Sequence, residues 1–222
     1  MKRSQINQAI HAAETMLKAQ NWTMPDFARW TLADHAAHPD RSRWLAERQI
    51  GWDVTDFGGG NFERRGLVLF CARNGIDRVA GERTYAEKLL FIGVDQETPF
   101  HAHRRKLEDI IVRAGGLLCV EFQAEGAVEP ESGEPVADRI RIDGAEYPAL
   151  GCIHRLREGQ GITVPRGLQH RFWAERAPVF AAEVSQCNDD RNDNFFFEPV
   201  GRFSRIEEDQ PPLRLLWNEG AT

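Results

Sequence analysis

Two histidines two residues apart, His101 and His103 in TPFHAHRRKLED, constrain the fold of this chain more than any other feature. Side chains alternate between the two faces of an extended strand, so both imidazoles point to the same side and can reach one ion. Glu108 follows after a short turn, and His170 lies far downstream in VPRGLQH, within a segment typical of a second strand. Three neutral imidazoles and one carboxylate suit a borderline divalent transition metal. The pattern therefore predicts a metal site built from several strands.

The spacing of these residues resembles the two sequence motifs of the cupin superfamily. The first motif, His-x-His, four residues, Glu, six residues, Gly, is matched by His101, His103, Glu108 and Gly115. The second, Gly, five residues, Pro-x-Gly, two residues, His, is matched by Gly159, Pro165, Gly167 and His170. The chain departs from the family at Gly93, which lies too far upstream, and at Ala174, where Asn is expected; neither position is a metal ligand in the family. The resemblance implies an all-β, cupin (jelly-roll) barrel with the metal inside it.

Hydrophobic periodicity divides the chain into a helical start and a β-rich remainder. The spacing predicts a helix from Ser4, as its N-cap, to about Gln20, and a second helix from Asp40 to Arg48. Residues 1–50 are therefore interpreted as an N-terminal helical extension packed on the barrel, and residues 51–222 as the barrel with a C-terminal extension, a single domain overall. Strands are predicted at 66–73, 85–94, 98–103, 108–114, 117–123, 139–142, 161–164, 169–174 and 179–185. Turns are predicted at Asn74-Gly75 and Gly115-Gly116, and an acidic loop at 124–137.

Charge and composition exclude several classes of partner. The net charge of −6 and the scattered Lys and Arg residues argue against a nucleic acid partner. The polar start of the chain is neither a secretory signal nor a membrane span, so we expect a cytoplasmic protein with no membrane partner. The four cysteines are far apart in the sequence and are expected to be reduced, as small core residues.

Four further charged residues are candidates for chemistry around the metal. Lys106 lies between two predicted ligands, although a lysine in a turn is by default a solvated residue. Lys88 interrupts an apolar strand, which favours the barrel interior over the outer face. Glu183 lies on an alternating strand, facing either the interior or water. Glu198 follows three phenylalanines and precedes Pro199, where desolvation would raise its pKa and suit it to proton transfer; the alternative is a carboxylate that caps the turn.

Long stretches of the chain resemble the bacterial D-lyxose isomerases, which are cupin-type sugar isomerases. The matching segments are GWDVTDFG, YAEKLL, HAHRRKLEDII, VPRGLQHRFW, EVSQCNDDRNDN and EPVGRF followed by IEED. The resemblance implies interconversion of D-lyxose with D-xylulose, and of D-mannose with D-fructose, through a cis-enediol. It implies a divalent metal of the Mn²⁺ type, with Co²⁺, Fe²⁺, Ni²⁺ or Zn²⁺ as alternatives, held by His101, His103, Glu108 and His170.

The same resemblance assigns the acid and base roles to Lys106 and Glu198. Lys88, Glu183, Phe172 and Trp173 are candidate sugar contacts, the two aromatic rings as an apolar wall or as plain core. A free sugar is the expected partner, and a homodimer is expected because related cupins are commonly dimers; Trp22, Trp30, Trp44 and the first helix are candidates for its interface.

Three other functions share the predicted ligands. A cupin phosphosugar isomerase would need a phosphate cradle, and no convincing run of Ser, Thr and Gly with Arg or Lys is present. A cupin dioxygenase would need an open metal position for oxygen, and the carboxylate-rich C-terminal block fits a polyol better. A sugar-binding or structural cupin would need no turnover, and the retained ligands count against it. A cupin fold alone does not choose among them.

Overall fold

The structure, a computed structural model, describes residues 1–123 and 138–219. The acidic loop predicted at 124–137 therefore lies outside the described residues. The helical segments are α1 Arg3–Ala19, a 3₁₀ turn Asp26–Arg29, α2 Leu32–Ala37 and α3 Pro39–Glu47. The strands are β1 Gly51–Thr55, β2 Leu67–Arg73, β3 Tyr85–Ile92, β4 Thr98–His103, β5 Glu108–Gln123, β6 Arg139–Ile142, β7 Ala145–Pro148, β8 Ile153–Leu156, β9 Gly161–Val164, β10 Gln169–Gln186 and β11 Asn194–Phe196.

The strands form one antiparallel sheet in which β10 is the central element. Its main path runs β1-β2-β3-β10-β5-β9-β6-β7. β10 pairs with β3 and β4 as well as with β5, and β11 extends the sheet beyond β4. Because β4, β5 and β10 are neighbours, the sequence segments that carry the predicted ligands lie side by side.

Two apolar layers lie on opposite faces of this sheet. The inner layer includes Leu90 of β3, Ile110 of β5 and Phe172 of β10. The outer layer includes Phe180 of β10 and is covered by one face of α1, where Ile10 is fully buried. Burial of each such side chain contributes about 1.5–3 kcal/mol, so helix α1 is an integral part of the fold.

The helical predictions are confirmed with two differences. Helix α1 has the predicted length but its N-cap is Lys2, not Ser4, whose amide and hydroxyl instead donate to Asp209 at 2.9 and 2.6 Å. The region between the two predicted helices contains the 3₁₀ turn and the whole of α2, whose Thr31–Asp34 capping box was missed. No helix within residues 1–123 and 138–219 combines the length and the apolar character needed to span a membrane.

The predicted turn at Gly115-Gly116 is wrong, because β5 continues through it to Gln123. Added Cβ atoms would lie 2.0 Å from the Pro178 oxygen at Gly115 and 2.2 Å from the Glu175 oxygen at Gly116. The two glycines therefore allow β5 and β10 to approach closely, a role that sequence does not distinguish from a turn. The two strands predicted at 169–174 and 179–185 are likewise one long strand, β10.

Other local predictions were also incomplete. The turn expected at Asn74-Gly75 lies at residues 77–78, and the Asn74 amide donates instead to the carbonyls of Arg48 and Asn188. Strands β1, β7, β8 and β11 were not predicted. Two of the three tryptophans expected at a dimer interface pack within the chain: Trp22 contacts Phe180 edge-on, and Trp30 is buried. The homodimer itself stays a prediction.

Candidate active site

The four predicted metal ligands converge at one end of the inner face. His101 and His103 point inward from β4, and His170 of β10 is paired in register with His101. One ring nitrogen from each imidazole lies within 4.8 Å of the others. Glu108, the first residue of β5, lies 3.2 Å from His170 Nε2 and 3.4 Å from His103 Nε2. We refer to these four residues as the histidine end of the cavity.

Hydrogen bonds fix the orientation of two of these rings. The Nδ1 atoms of His101 and His170 lie 2.9 and 3.1 Å from the carbonyl oxygens of Pro99 and Leu168. A carbonyl only accepts, so each Nδ1 carries the proton and each Nε2 keeps a free lone pair. Burial is the main cause that lowers the pKa of His101 well below its usual range, and it also lowers the pKa of His103. The rings of His101 and His103 are therefore neutral, the form that binds a metal.

The histidine end fits a divalent metal. His170 Nε2 and His103 Nδ1 are buried and accept no hydrogen bond from any described residue. Buried polar atoms are normally satisfied, so the unpartnered His170 Nε2 that faces the Glu108 carboxylate indicates an atom reserved for an ion. Three imidazoles and one carboxylate form a donor set for Mn²⁺, Fe²⁺, Co²⁺, Ni²⁺ or Zn²⁺.

Lys106 is a buried ammonium beside this cluster. Its Nζ lies 2.6 Å from Glu108 Oε2 and 2.7 Å from Glu183 Oε1. Burial alone would lower the pKa of Lys106, but the two carboxylates raise it above its usual value. Burial would raise the pKa of Glu108, but Lys106 and the imidazoles hold it well below its usual range. Lys106 is thus an ammonium placed between two carboxylates.

Asp193 holds the loop that carries Lys106, and sequence reasoning missed it. Its carboxylate accepts the backbone N–H groups of Arg104, Arg105 and Lys106 at 3.0, 2.8 and 3.2 Å. Three donors on one buried carboxylate fix the backbone between β4 and β5. The only sequence signal was the carboxylate-rich stretch NDDRNDN, which did not single out this residue.

A chain of alternating charges continues from Lys106 across the cavity. Glu183 Oε1 lies 3.5 Å from Lys88 Nζ, which lies 3.8 Å from Asp190 Oδ1. Asp190 Oδ2 in turn lies 3.1 Å from Arg202 Nη2. Asp53 of β1 accepts from the same Nη2 at 2.6 Å. We refer to Lys88, Asp190, Arg202 and Asp53 as the arginine end of the cavity.

All four residues of the arginine end are deeply buried or nearly so, and Arg202 lies between the two carboxylates. Burial would raise the pKa of Asp190, but Arg202 and Lys88 hold it far below its usual value. Burial raises the pKa of Asp53, and Arg202 opposes that rise. The expected interior position of Lys88 is found, since only 3% of this residue is exposed.

A bulge in β10 brings Glu183 onto the same face as His170. Phe172 and Ala174 belong to the inner layer and His170 to the ligand cluster on the same face, all at even positions. The pairing with β5 shifts register between Glu175 and Val179 and again at Phe180, and beyond these shifts the odd positions Val179 and Ala181 are inside. β-Bulges re-aim side chains in this way.

The cavity between the two ends has a volume of about 40 Å³. Its apolar walls include Phe57, Phe172 and Phe196. One water takes about 30 Å³ in the liquid, so this volume fits an ion with water, and a larger guest requires the lining side chains to move. Trp173 alternates to the other face of β10 and lines a surface groove beside Arg171, outside the cavity.

Glu198 lies outside the cavity lining as well. It follows β11, its side chain is 39% exposed, and it forms an ion pair with Arg65 at 2.7 Å. Arg65 also binds Glu97 at 2.8 Å. The structure therefore brings Lys106, Lys88, Glu183 and Phe172 to the histidine end and its surroundings, but not Glu198 or Trp173. The proton-transfer role of Glu198 stays a prediction from sequence.

The sequence of this chain is similar to those of known sugar isomerases. A model of the D-lyxose isomerase family matches residues 1–220. A D-lyxose/D-mannose isomerase of Escherichia coli O157:H7 is 38% identical over 99% of this chain and 98% of its own length. A second, from Serratia proteamaculans, is 39% identical over 99% of this chain and 97% of its own length.

Solved structures of L-ribose isomerases share the fold. The enzyme of Acinetobacter sp. DL28 in complex with L-ribose superposes with a TM-score of 0.63, and that of Cellulomonas parahominis with no ligand with a TM-score of 0.61. Each is 17% identical, and each comparison covers 93% of this chain and 98% of the other. At this identity the likeness concerns the fold alone, and it confirms the predicted all-β cupin barrel.

Proposed function

Because the chain belongs to the D-lyxose isomerase family, it is an aldose–ketose isomerase, and we propose that it interconverts D-lyxose with D-xylulose and D-mannose with D-fructose. The observation that carries this proposal is the contact between Lys106 and Glu183 beside three imidazoles and a carboxylate. An aldose–ketose exchange needs a Lewis acid, a proton-transfer group and a donor to the sugar oxygens, all at adjacent carbons. The histidine end and its neighbours supply each of these.

We propose that His101, His103, Glu108 and His170 hold a divalent ion of the Mn²⁺ type, with Co²⁺, Fe²⁺, Ni²⁺ or Zn²⁺ as alternatives. Such an ion polarises the sugar carbonyl and stabilises the negative charge that develops on its oxygen. The protein fixes the site in advance, because the carbonyls of Pro99 and Leu168 orient two of the rings. This orientation avoids reorganisation when the sugar binds.

Glu183 is the proposed proton carrier. It is the buried carboxylate that lines the cavity beside Lys106 without belonging to the ligand set. In the proposed route its carboxylate removes the proton from C2 of the aldose and returns it to C1 of the cis-enediol, while a proton passes from the C2 hydroxyl to the C1 oxygen. A positioned base contributes about 10²–10⁴-fold. Glu198, the base inferred from sequence, would have to leave Arg65 and enter the cavity to do the same.

Lys106 is proposed to donate to a sugar oxygen at the reacting carbons. Its charge is retained by two carboxylates, so it offers N–H groups at any working pH and stabilises a developing alkoxide. Farther along the cavity, Lys88, Asp190 and Arg202 are proposed to contact the remaining hydroxyls, and Phe172 to pack against the carbon chain. Polar groups with apolar walls are typical of sites for small ligands.

The phosphosugar alternative is less well supported. Lys106, Lys88 and Arg202, the three cationic residues among the described lining residues, each contact at least one carboxylate. A phosphate dianion placed there would face these carboxylates and be repelled. A neutral sugar meets no such penalty.

The test is turnover by chelator-treated protein before and after addition of Mn²⁺. D-lyxose, D-mannose and a matching sugar phosphate are supplied in parallel, and ketose formation is measured. We expect metal-dependent D-xylulose and D-fructose formation. Turnover of the phosphate alone would replace the proposal by a phosphosugar isomerase, and full activity without any metal would remove the proposed role of the ion.

A further inference from the structure

The arginine end contains a group that internal pairing does not explain. The Arg202 side chain is 10% exposed, and its Nη2 is shared by Asp53 at 2.6 Å and Asp190 at 3.1 Å. Its other terminal nitrogen, Nη1, is buried and has no hydrogen-bond partner among the described residues. A guanidinium has five donors, and a buried unpaired one is costly unless it serves a ligand. Because Arg202 lines the cavity, this donor is available to a sugar hydroxyl.

The position of Arg202 depends on a residue that does not itself line the cavity. Asp53 lies on β1, where it is 2% exposed, and its Oδ2 binds both Arg202 Nη2 and the indole Nε1 of Trp217, the latter at 3.2 Å. Trp217 comes from the C-terminal segment, which forms a bridge with β1 at Trp52. One carboxylate thus joins a rigid strand, a buried indole and the guanidinium.

We propose that Asp53, oriented by Trp217, is a positioning residue that holds Arg202 for recognition of the sugar hydroxyls remote from the reacting carbons. This inference rests on the proposed function. Asp190 alone would tie Arg202 only to the segment after β10, whereas Asp53 ties it to the sheet. Binding is thereby separated from chemistry: Lys106 and Glu183 act at the histidine end, and the Asp53–Trp217 pair determines how firmly the far end of the sugar is held.

The test compares KM and kcat for D-lyxose in matched variants of the metal-loaded protein. Asp53→Asn keeps the size of the side chain and removes its charge, so we expect KM to rise about tenfold. We expect kcat to stay within about twofold, because the lost contact is equally present in the ground and transition states. Trp217→Phe keeps the packing and removes the donor, and should raise KM about threefold.

The double variant separates positioning from a general structural role. If Trp217 acts through Asp53, the Asp53→Asn/Trp217→Phe protein has a KM no higher than that of Asp53→Asn alone. The control is Glu208→Gln, which removes a carboxylate from the buried Arg3 at the other end of the C-terminal segment and should leave both constants unchanged. If Asp53→Asn does not fold, the Trp217→Phe and Glu208→Gln pair carries the comparison.

Three results overturn the proposal. They are an unchanged KM in Asp53→Asn and Trp217→Phe, a fully multiplicative rise in the double variant, and an equal rise in the Glu208→Gln control. Failure of the proposed function looks different, since the unaltered protein would then form no ketose from D-lyxose or D-mannose, and that result would remove both proposals together.

Discussion

The histidine end and the arginine end of the cavity use buried polar groups in opposite ways. At the histidine end, neutral imidazoles keep free lone pairs, and a positive charge is the missing partner. At the arginine end, Lys88, Asp190, Arg202 and Asp53 already neutralise one another within 3.8 Å contacts. An ion would therefore stabilise the first arrangement, whereas in the second the charges are already paired and Arg202 Nη1 is left as an unpaired donor.

This difference teaches what each end is suited to do. Free ligand atoms suit an ion that concentrates charge where bonds change, whereas an ion-pair network fixes the position of donors such as Arg202 Nη1 for a neutral polyol. Lys106 and Glu183 lie between the two ends, with Lys106 in contact with Glu108 and Glu183 in contact with Lys88. Changes at the two ends should therefore have different signatures in metal content, turnover and stability.

The largest effect is expected from removal of a ligand at the histidine end. His101→Ala should lower bound metal sharply and reduce turnover on the order of 10³-fold, because an ion worth several kcal/mol to the transition state is lost. Metal content by elemental analysis and ketose formation are measured on the same sample. Full metal occupancy in this variant would show that the two ends do not differ as described.

The two candidate carboxylates provide the next sharpest comparison. Glu183→Gln should lower kcat at least about 10²-fold with metal retained, because the proposed proton carrier is lost. Glu198→Gln removes a partly exposed ion pair worth about 0–1 kcal/mol, so its effect should stay within about fivefold. Both variants replace a glutamate by a glutamine, and their kcat values for D-lyxose are compared. The reverse order would restore Glu198 as the base and require that its segment moves inward.

A smaller effect, on stability, is expected from the arginine end. Asp190→Asn leaves Arg202 with Asp53 alone and should lower the free energy of unfolding by about 2 kcal/mol at pH 7. The pKa of Asp190 is depressed in the folded protein, so its stabilisation is fully present above the unfolded value of about 3.9 and is lost as the pH falls below it.

Urea unfolding of the unaltered protein and of Asp190→Asn at pH 7 and pH 3 tests this expectation. The difference between their free energies of unfolding should narrow by about 1.4 kcal/mol for each pH unit below 3.9. A difference that is the same at both pH values would mean that the Asp190 carboxylate contributes no charge interaction.

The histidine end was accessible from sequence because its residues lie in short motifs on regular strands. His101 and His103 share a face through simple alternation, and the structure brings them together with Glu108 and His170 as expected. The arginine end was not accessible in this way. Asp53, Arg202 and Trp217 come from β1 and the C-terminal segment, and their meeting depends on tertiary packing that no local period encodes.

Glu198 and Trp173 illustrate two further limits of sequence reasoning. The three phenylalanines before Glu198 suggested an apolar setting, but Phe195 and Phe197 point outward and only Phe196 enters the cavity. Trp173 is adjacent to Phe172, and adjacency on a strand means opposite faces. The interior position of Glu183 depended on a bulge that the alternating pattern does not reveal.

Because of the bulge in β10, the face on which Glu183 lies depends on whether its offset from His170 is odd or even. The thirteen-residue offset is odd, which would place the two side chains on opposite faces of a regular strand. The insertion or deletion of one residue between His170 and Glu183, with the bulge kept, would rotate Glu183 outward without altering any side chain in the cavity, whereas a two-residue change would preserve its orientation. The orientation of Glu183 thus depends on the number of residues that separate it from His170, and length changes in this short stretch should be tolerated only in pairs.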